Sequence, residues 1–332
     1  MEATKQKATL SSAAVFPKGY FLENLAVRAN NSILVTSIKT HELWYVPPIG
    51  PSEQVQPVLL FTFDKSPTSL IELEPDIFYL FTTDGYATHA SDLHRIDLRD
   101  WKPGLAIHPE LILAFPSQVR ALNGSCLIGP RTMLVADSFA SLIWRVELSE
   151  DGHSASASIW LKHYSMLYHP GELKPEQPGV NGLRFAKTTS FLYYTSTVLK
   201  LFMRVRVDRQ TLAPLGVPEY LGGDKMMDDF LLDEEAGVAY VTTHRENTID
   251  RMSLEPDRNE ERESVAGNPF DAELVGPSSG AWGRAPGEAG RVAYFTTDGG
   301  TTAFAPDGVL RAAKILRVEF STKFPKSRHI DR

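Results

Sequence analysis

Cysteine is almost absent from this chain of 332 residues: Cys126 stands alone. A single thiol excludes an internal disulfide and fits a reducing compartment. Its setting, an apolar stretch between Asn123 and Met133-Leu134-Val135, reads as that of a small buried hydrophobe rather than a nucleophile. Basic clusters are missing as well. Lys and Arg number 34 against 41 Asp and Glu, for a formal net charge of -7, with no basic run. That balance argues against nucleic acid as a partner, because phosphate binding needs clustered cations. No stretch of roughly 18 apolar residues occurs, so no membrane span is predicted. Residues 1–7 lead into a polar Thr/Ser segment without the apolar core of a signal peptide, and the expectation is a cytosolic, cytoplasmic protein. Helical periodicity is also lacking. The one tempting window, 220–235, breaks at Gly222-Gly223, which predicts almost no helix. Zinc spacings, Gly-rich phosphate loops and a Ser-His-Asp motif do not occur, and His108 and the His163/His169 pair lack a third ligand at useful spacing.

What the chain does have is a repeat. Six hydrophobic strands end in short polar clusters: Val35-Thr36-Ser37, Phe81-Thr82-Thr83-Asp84, Val135-Ala136-Asp137-Ser138, Tyr194-Thr195-Ser196-Thr197, Val241-Thr242-Thr243-His244 and Phe295-Thr296-Thr297-Asp298. Each is followed by a strand of the type Leu142-Ile143-Trp144-Arg145-Val146-Glu147-Leu148. The period, roughly 40–60 residues, is that of a propeller or a similar array. The runs are short, rich in β-branched and aromatic residues and bounded by Gly, Pro, Asn and Asp, as strands are. The predicted fold is all-β: a single six-bladed β-propeller of four-stranded antiparallel blades around a central channel. The blades fall at approximately 20–65, 66–117, 118–165, 178–222, 226–272 and 274–322, with ring closure by a strand near 10–16. Two segments read as insertions: 161–180 as a surface or lid loop, and the charged, then Gly/Pro-rich 256–291 as a mobile connection between the last two blades.

A cyclic array brings equivalent positions together on its axis. A polar residue recurs just before each inner strand: Glu23, Ser69, Asn123, Asn181, Asp228 beside Asp229, and Ser278 beside Ser279. Glu23, Asn123, Asn181 and Asp228 form a set of hard oxygen donors that suits Ca²⁺ or another divalent metal. The same residues serve equally as structural caps on inner strands. His244 ends an inner strand where its equivalents are Ser, Asp or Thr, and an axial imidazole can act as acid, base or hydrogen-bond donor near neutral pH; the plain alternative is a satisfied turn histidine. Asp137 and Asp298 read as structural. Tyr20, Phe21, Tyr86, Phe139, Tyr164, Tyr168, Phe230 and Trp282 lie in loops or at blade starts and are candidates for an apolar mouth. Arg184, Arg245 and Arg284 either pair an acidic hydroxyl or enolate or make surface ion pairs.

The order Glu23, Asn123, Asn181, Asp228 on successive blades resembles the metal-site pattern of the senescence-marker-protein/gluconolactonase six-bladed propellers. That family holds divalent-metal lactonases and related hydrolases. The resemblance covers nearly the whole chain through motifs of two to four residues. Phe16-Pro17-Lys18-Gly19-Tyr20-Phe21-Leu22-Glu23-Asn24-Leu25-Ala26-Val27-Arg28, Gly179-Val180-Asn181-Gly182-Leu183 and Gly276-Pro277-Ser278-Ser279 with Gly283-Arg284 resemble a fungal natural-product branch. So does Leu134-Val135-Ala136-Asp137-Ser138 with Ile143-Trp144-Arg145-Val146. This branch includes hetero-Diels–Alderases that join a tropolone quinone methide to a humulene-type terpene. Two departures stand out. The sugar-lactonases carry Arg at the position of Ala121, and their Asp-Gly is replaced by Asp228-Asp229-Phe230. The resemblance implies an intermolecular hetero-Diels–Alder cycloaddition needing no cofactor, with Glu23, Asn123, Asn181, Asp228 and His244 as catalytic groups. It implies small apolar and aromatic substrates held by Tyr20, Phe21, Ser69, Arg184, Phe230, Ser278 and Trp282. The alternatives are a lactonase with Ca²⁺ or Zn²⁺ at the four oxygen donors, and a non-catalytic propeller that binds partners on its top face.

Overall fold

The computed structural model describes residues 7–48, 50, 54–169, 177–256, 258 and 262–321. They form six four-stranded antiparallel sheets. Sheets 1 to 5 span 22–62, 66–114, 122–162, 180–223 and 227–267, each in chain order from its inner to its outer strand. The sixth uses 277–320 for three strands and takes its outermost from the N-terminal segment Ala8–Lys18, which pairs with Ala312–Phe320. Inner strands touch in the order 1-2-3-4-5-6 and back to 1. The molecule is a closed six-bladed β-propeller.

The second strands of the blades read as almost continuous apolar runs because blades cover both of their faces. Tyr79 and Phe81 of blade 2 pack in one cluster with Trp144 and Val146 of blade 3. Tyr294 and Ile315 of blade 6 share another with Ile33 and Val35 of blade 1. Each such side chain taken out of water contributes about 1.5–3 kcal/mol. Helix among the described residues is limited to the 3₁₀ turn Tyr164–Met166.

Two expectations need correction. Segment 256–291 is not a simple connection: it carries the outer strand of blade 5, Glu263–Gly267, and the inner strand of blade 6, Pro277–Trp282. The first faces solvent on one side and therefore reads as polar. Segment 161–180 begins as the end of the blade 3 outer strand, and Met166 is fully buried in the core between blades 3 and 4. Residues 170–176 of the expected lid lie outside the described residues.

Candidate functional site

Every inner strand breaks register at its start. The ladder skips Glu23-Asn24 in blade 1, Asn123-Gly124 in blade 3, Asn181-Gly182 in blade 4, Asp228-Asp229 in blade 5 and Ser278-Ser279 in blade 6. Blade 2 skips a single residue, Thr68. Such bulges re-aim side chains and leave backbone groups without ladder partners. The repeating Thr of the neighbouring strand fills that gap. The N–H groups of Asn24, Gly182, Asp229 and Ser279 donate to the hydroxyls of Thr36, Thr195, Thr242 and Thr296 at 3.0, 2.9, 3.1 and 3.0 Å. The polar clusters visible in the sequence are thus the supports of the bulges.

In five of the six blades the first residue of the bulge faces a cavity of about 570 Å³ on the axis: Glu23, Thr68, Asn123, Asn181 and Asp228 line it, whereas Ser278 of blade 6 does not. The second residue points away, into a polar layer that ties the blades together. There the Asp229 carboxylate accepts from Arg184 Nη2 at 2.7 Å, Ser279 Oγ at 2.6 Å and Asn24 Nδ2 at 3.3 Å. The Ser69 and Ser125 hydroxyls share a hydrogen bond at 2.6 Å. Glycine is required where blades 3 and 4 meet, because a Cβ on Gly124 would stand 2.6 Å from the Asn181 carbonyl oxygen and 2.8 Å from the Gly182 Cα.

His244 also lines the cavity, from the turn after the second strand of blade 5. Its ring stacks on Phe21 with centroids 5.4 Å apart and planes 9° from parallel. Its Nε2 stands 3.3 Å from Oδ2 of the buried Asp298 without a well-aligned hydrogen bond. Burial opposes charge on this imidazole, yet the Asp298 carboxylate outweighs it and raises the His244 pKa. Asp298 is held low in turn. Burial opposes its charge, but His244 and the Gly300 and Thr302 N–H groups prevail.

The two cavity carboxyls behave in the opposite way. Burial drives Glu23 well above the usual carboxylate range, and the charges of Asp228, Asp229 and Asp298 push it the same way. Burial carries Asp228 up to about 7, with Asp229 and Asp298 adding while His244 and a hydrogen bond from Asn181 oppose. Around this polar base the wall is apolar, with Phe21, Ile38, Tyr86, Ala121, Leu122 and Phe139. The site therefore presents two carboxyls with raised pKa values, one of them at about 7, and an imidazole beside a buried carboxylate to an apolar chamber.

Of the predicted site residues, the structure brings Glu23, Asn123, Asn181, Asp228, His244 and Phe21 to this cavity. The others lie elsewhere. Ser69 and Arg184 belong to the polar layer, because blade 2 bulges at Thr68 and Arg184 turns toward Asp229. Phe230 is wholly buried against Phe202. Ser278 donates to the Leu22 carbonyl at 2.5 Å, which occupies it in blade closure. Trp282 donates Nε1 to the Leu232 carbonyl at 2.7 Å and packs on Tyr240. Tyr20 packs against Phe16 and Trp44. Asp137 accepts from the N–H groups of Arg120, Ala121 and Ala140 and from Trp144 Nε1, a structural role. Asp298, read as structural from sequence, contacts the site through His244. The reading missed Thr68, Lys39, His41, Ser138 and Thr197 as lining residues. Aligning the repeats on their polar clusters marks Ser138, Thr197 and His244 as one position.

No family model and no curated protein matches the chain. Solved structures do, at the level of fold. A luciferin-regenerating enzyme matches with a TM-score of 0.68 and 15% identity, over 94% of this chain and 95% of that one. A calcium-binding protein, regucalcin, from Agrobacterium tumefaciens matches with a TM-score of 0.59 and 15% identity, over 93% and 97%. A putative gluconolactonase matches with a TM-score of 0.57 and 13% identity, over 94% and 98%. The chain thus has gluconolactonase- and regucalcin-like propellers among its structural neighbours. No helix among the described residues is long and apolar enough to cross a membrane.

Proposed function

We propose that this chain is an enzyme that binds a largely apolar, oxygen-bearing small molecule in the axial cavity and activates it by proton transfer at Glu23 and Asp228. One observation carries this reading: two buried carboxyls with raised pKa values line one chamber whose remaining wall is mostly apolar. Carboxyls held near neutrality are the equipment of general acid–base catalysis. The concave axial cavity counts against a non-catalytic scaffold, which would present a broad outer patch instead. Several structural neighbours are named as enzymes, in keeping with this class.

The finer reading, which follows from the sequence resemblance, is a hetero-Diels–Alder cycloaddition. Glu23, its pKa raised by burial, serves as the acid and gives its proton to the leaving hydroxyl of a tropolone- or phenol-derived alcohol as the C–O bond breaks and water departs. Asp228, kept partly ionised by Asn181 and His244, takes the ring hydroxyl proton, which leaves a neutral quinone methide. An alkene of the terpene then adds across the heterodiene, forming one C–C and one C–O bond. The chamber lowers the barrier by holding both partners face to face, and His244 is placed to hydrogen-bond the heterodiene oxygen.

A specific observation favours a second reading, a metal-dependent lactonase: four oxygen-bearing side chains, Glu23, Asn123, Asn181 and Asp228, converge on the same cavity. Two carboxylates and two amides fit a hard divalent cation in donor chemistry. The chemistry such a cation supplies when bound is polarisation of a carbonyl oxygen. In that case the protein's own part is to hold the lactone body against Phe21 and Phe139 and to offer Asp228 as a proton acceptor.

One experiment separates the two. The purified protein is incubated with a quinone-methide precursor and a humulene-type terpene, and in parallel with a lactone panel with and without chelator. Adduct formed faster and with other stereochemistry than in buffer supports the cycloaddition. A product ratio identical to the spontaneous one rejects it. Chelator-sensitive hydrolysis abolished in Asp228→Ala supports the lactonase, and chelator-insensitive hydrolysis counts against it.

A further inference from the structure

The turns joining the second and third strands of the blades surround the cavity mouth, and their chemistry differs from blade to blade. Strand register sets Lys39 in blade 1, where Ser37 pairs with Glu42, at the position that Phe139 holds in blade 3, where Asp137 pairs with Leu142. In blade 4 the equivalent is Val198, since Ser196 pairs with Leu201. Lys39 and His41 both line the cavity, and neither side chain has a polar or charged partner among the described residues. Lys39 is exposed, whereas the carboxyls that line the cavity among the described residues, Glu23 and Asp228, are buried. Two aromatic rings line the same cavity. Tyr86 is 77% exposed and touches Phe139 edge-on at 5.4 Å, and Phe139 stacks on Tyr168 at 4.4 Å.

We propose that this mouth selects an amphipathic anion, a ligand whose anionic oxygen group meets Lys39 and His41 while its flat, unsaturated body lies against Tyr86 and Phe139. The proposal deepens the reading of the site as a small-molecule enzyme and rests on it for the end of the ligand that reacts. Two physical terms support it. A contact between an ammonium and an anionic oxygen is about twice as strong as a neutral hydrogen bond, and offset or edge-on aromatic pairs add to the area they bury. Lys39, His41, Tyr86 and Phe139 are thus specificity-determining residues, on turns that can vary without disturbing the bulges.

The test is calorimetric binding of three probes: naphthoate, naphthamide and the fully saturated decalin carboxylate. The intact protein is expected to bind naphthoate about tenfold more tightly than either of the others. Lys39→Gln with His41→Asn is expected to equalise naphthoate and naphthamide, leaving naphthamide unchanged; Asn suits the left-handed backbone at His41, φ 59°. Tyr86→Leu with Phe139→Leu is expected to erase the preference over the decalin acid. Equal binding of all three, no binding at millimolar concentration, or a preference that survives these exchanges would overturn the proposal. Asp228→Asn separates this from the catalytic reading. An inactive variant that keeps the order of affinities supports both. Unaltered turnover with the same order removes the acid pair from catalysis and leaves the mouth as a selective binding site.

Discussion

Asn181 of blade 4 donates its side-chain N–H to Oδ1 of Asp228 in blade 5 at 2.6 Å, and the same amide nitrogen donates to Thr197 Oγ1 at 2.9 Å. Both residues come from register breaks at the start of inner strands. The amide favours the ionised form of Asp228 and is one of two groups that keep this buried carboxyl from climbing further. Asn181→Ala is therefore expected to move the Asp228 midpoint upward from about 7. Loss of a hydrogen bond to a charged group also lowers stability by about 1.5–3 kcal/mol. Carboxyl carbon NMR reads the midpoint and urea unfolding reads the stability; an unmoved midpoint would show that the amide does not set it.

The raised Asp228 midpoint has a consequence for stability. The unfolded carboxyl titrates near 3.8 and the folded one at about 7, so between these values the native state holds the extra proton. Stability then falls as pH rises through this window. Three units correspond to an order of 4 kcal/mol for this buried group. Glu23 and His244, both raised, act in the same direction. Asp298 acts the other way: its depressed carboxyl contributes stability above its ordinary range that is lost in stronger acid. Asp228→Asn should flatten the decline from about pH 4 to 7 and make the protein more stable than the parent at about pH 8. Thermal unfolding across that range checks it; an unchanged slope would mean the carboxyl is ionised when folded.

Packing at the axis gives a third expectation. A methyl group at Gly124 has no free space, with the Asn181 carbonyl oxygen at 2.6 Å and the Leu183 nitrogen at 3.1 Å, both backbone atoms. Gly124→Ala should cost about 1–3 kcal/mol, the usual range for overpacking. It should also disturb Asn181 and through it Asp228. A variant with parental stability and an unchanged Asp228 titration would show that the blades can separate freely at this point.

Much of this molecule was legible in its sequence. The polar clusters identified the blades because in four of the six, Thr36, Thr195, Thr242 and Thr296 each satisfy a bulge N–H, while Ala136 stands at that position in blade 3. Glu23, Asn123, Asn181 and Asp228 were legible because each is the first residue of such a bulge. Ser69 was misplaced by one residue because blade 2 skips a single residue where the other blades skip two. Arg184 and Phe230 follow bulges, and the face they take depends on how many residues the ladder skips, which composition does not reveal. Lys39 and His41 sit in a turn, where a basic residue is ordinary, and only the register against Phe139 and Ser141 marks their place at the mouth.

The four oxygen donors can be tested without any substrate. A divalent cation would sit between two carboxyls whose pKa values burial and mutual repulsion raise. Binding there must release protons, so it must tighten as pH rises. A ligand that binds only the folded state stabilises it by RT ln(1 + [L]/Kd), about 2.7 kcal/mol at a hundredfold excess over Kd. Millimolar Ca²⁺ is therefore expected to raise the unfolding temperature clearly at about pH 8 and far less at about pH 5. Glu23→Gln should abolish the shift, because an amide removes one of the two charges that would hold the cation. It should also raise the calcium-free stability at high pH, since it removes a repelled carboxylate from the same chamber. That opposition between two readouts of one substitution distinguishes lost ligation from simple damage to the fold. A Ca²⁺ shift that persists in Glu23→Gln would place the ion elsewhere. With no shift in the parent, the same four side chains would stand as hydrogen-bonding and acid groups alone.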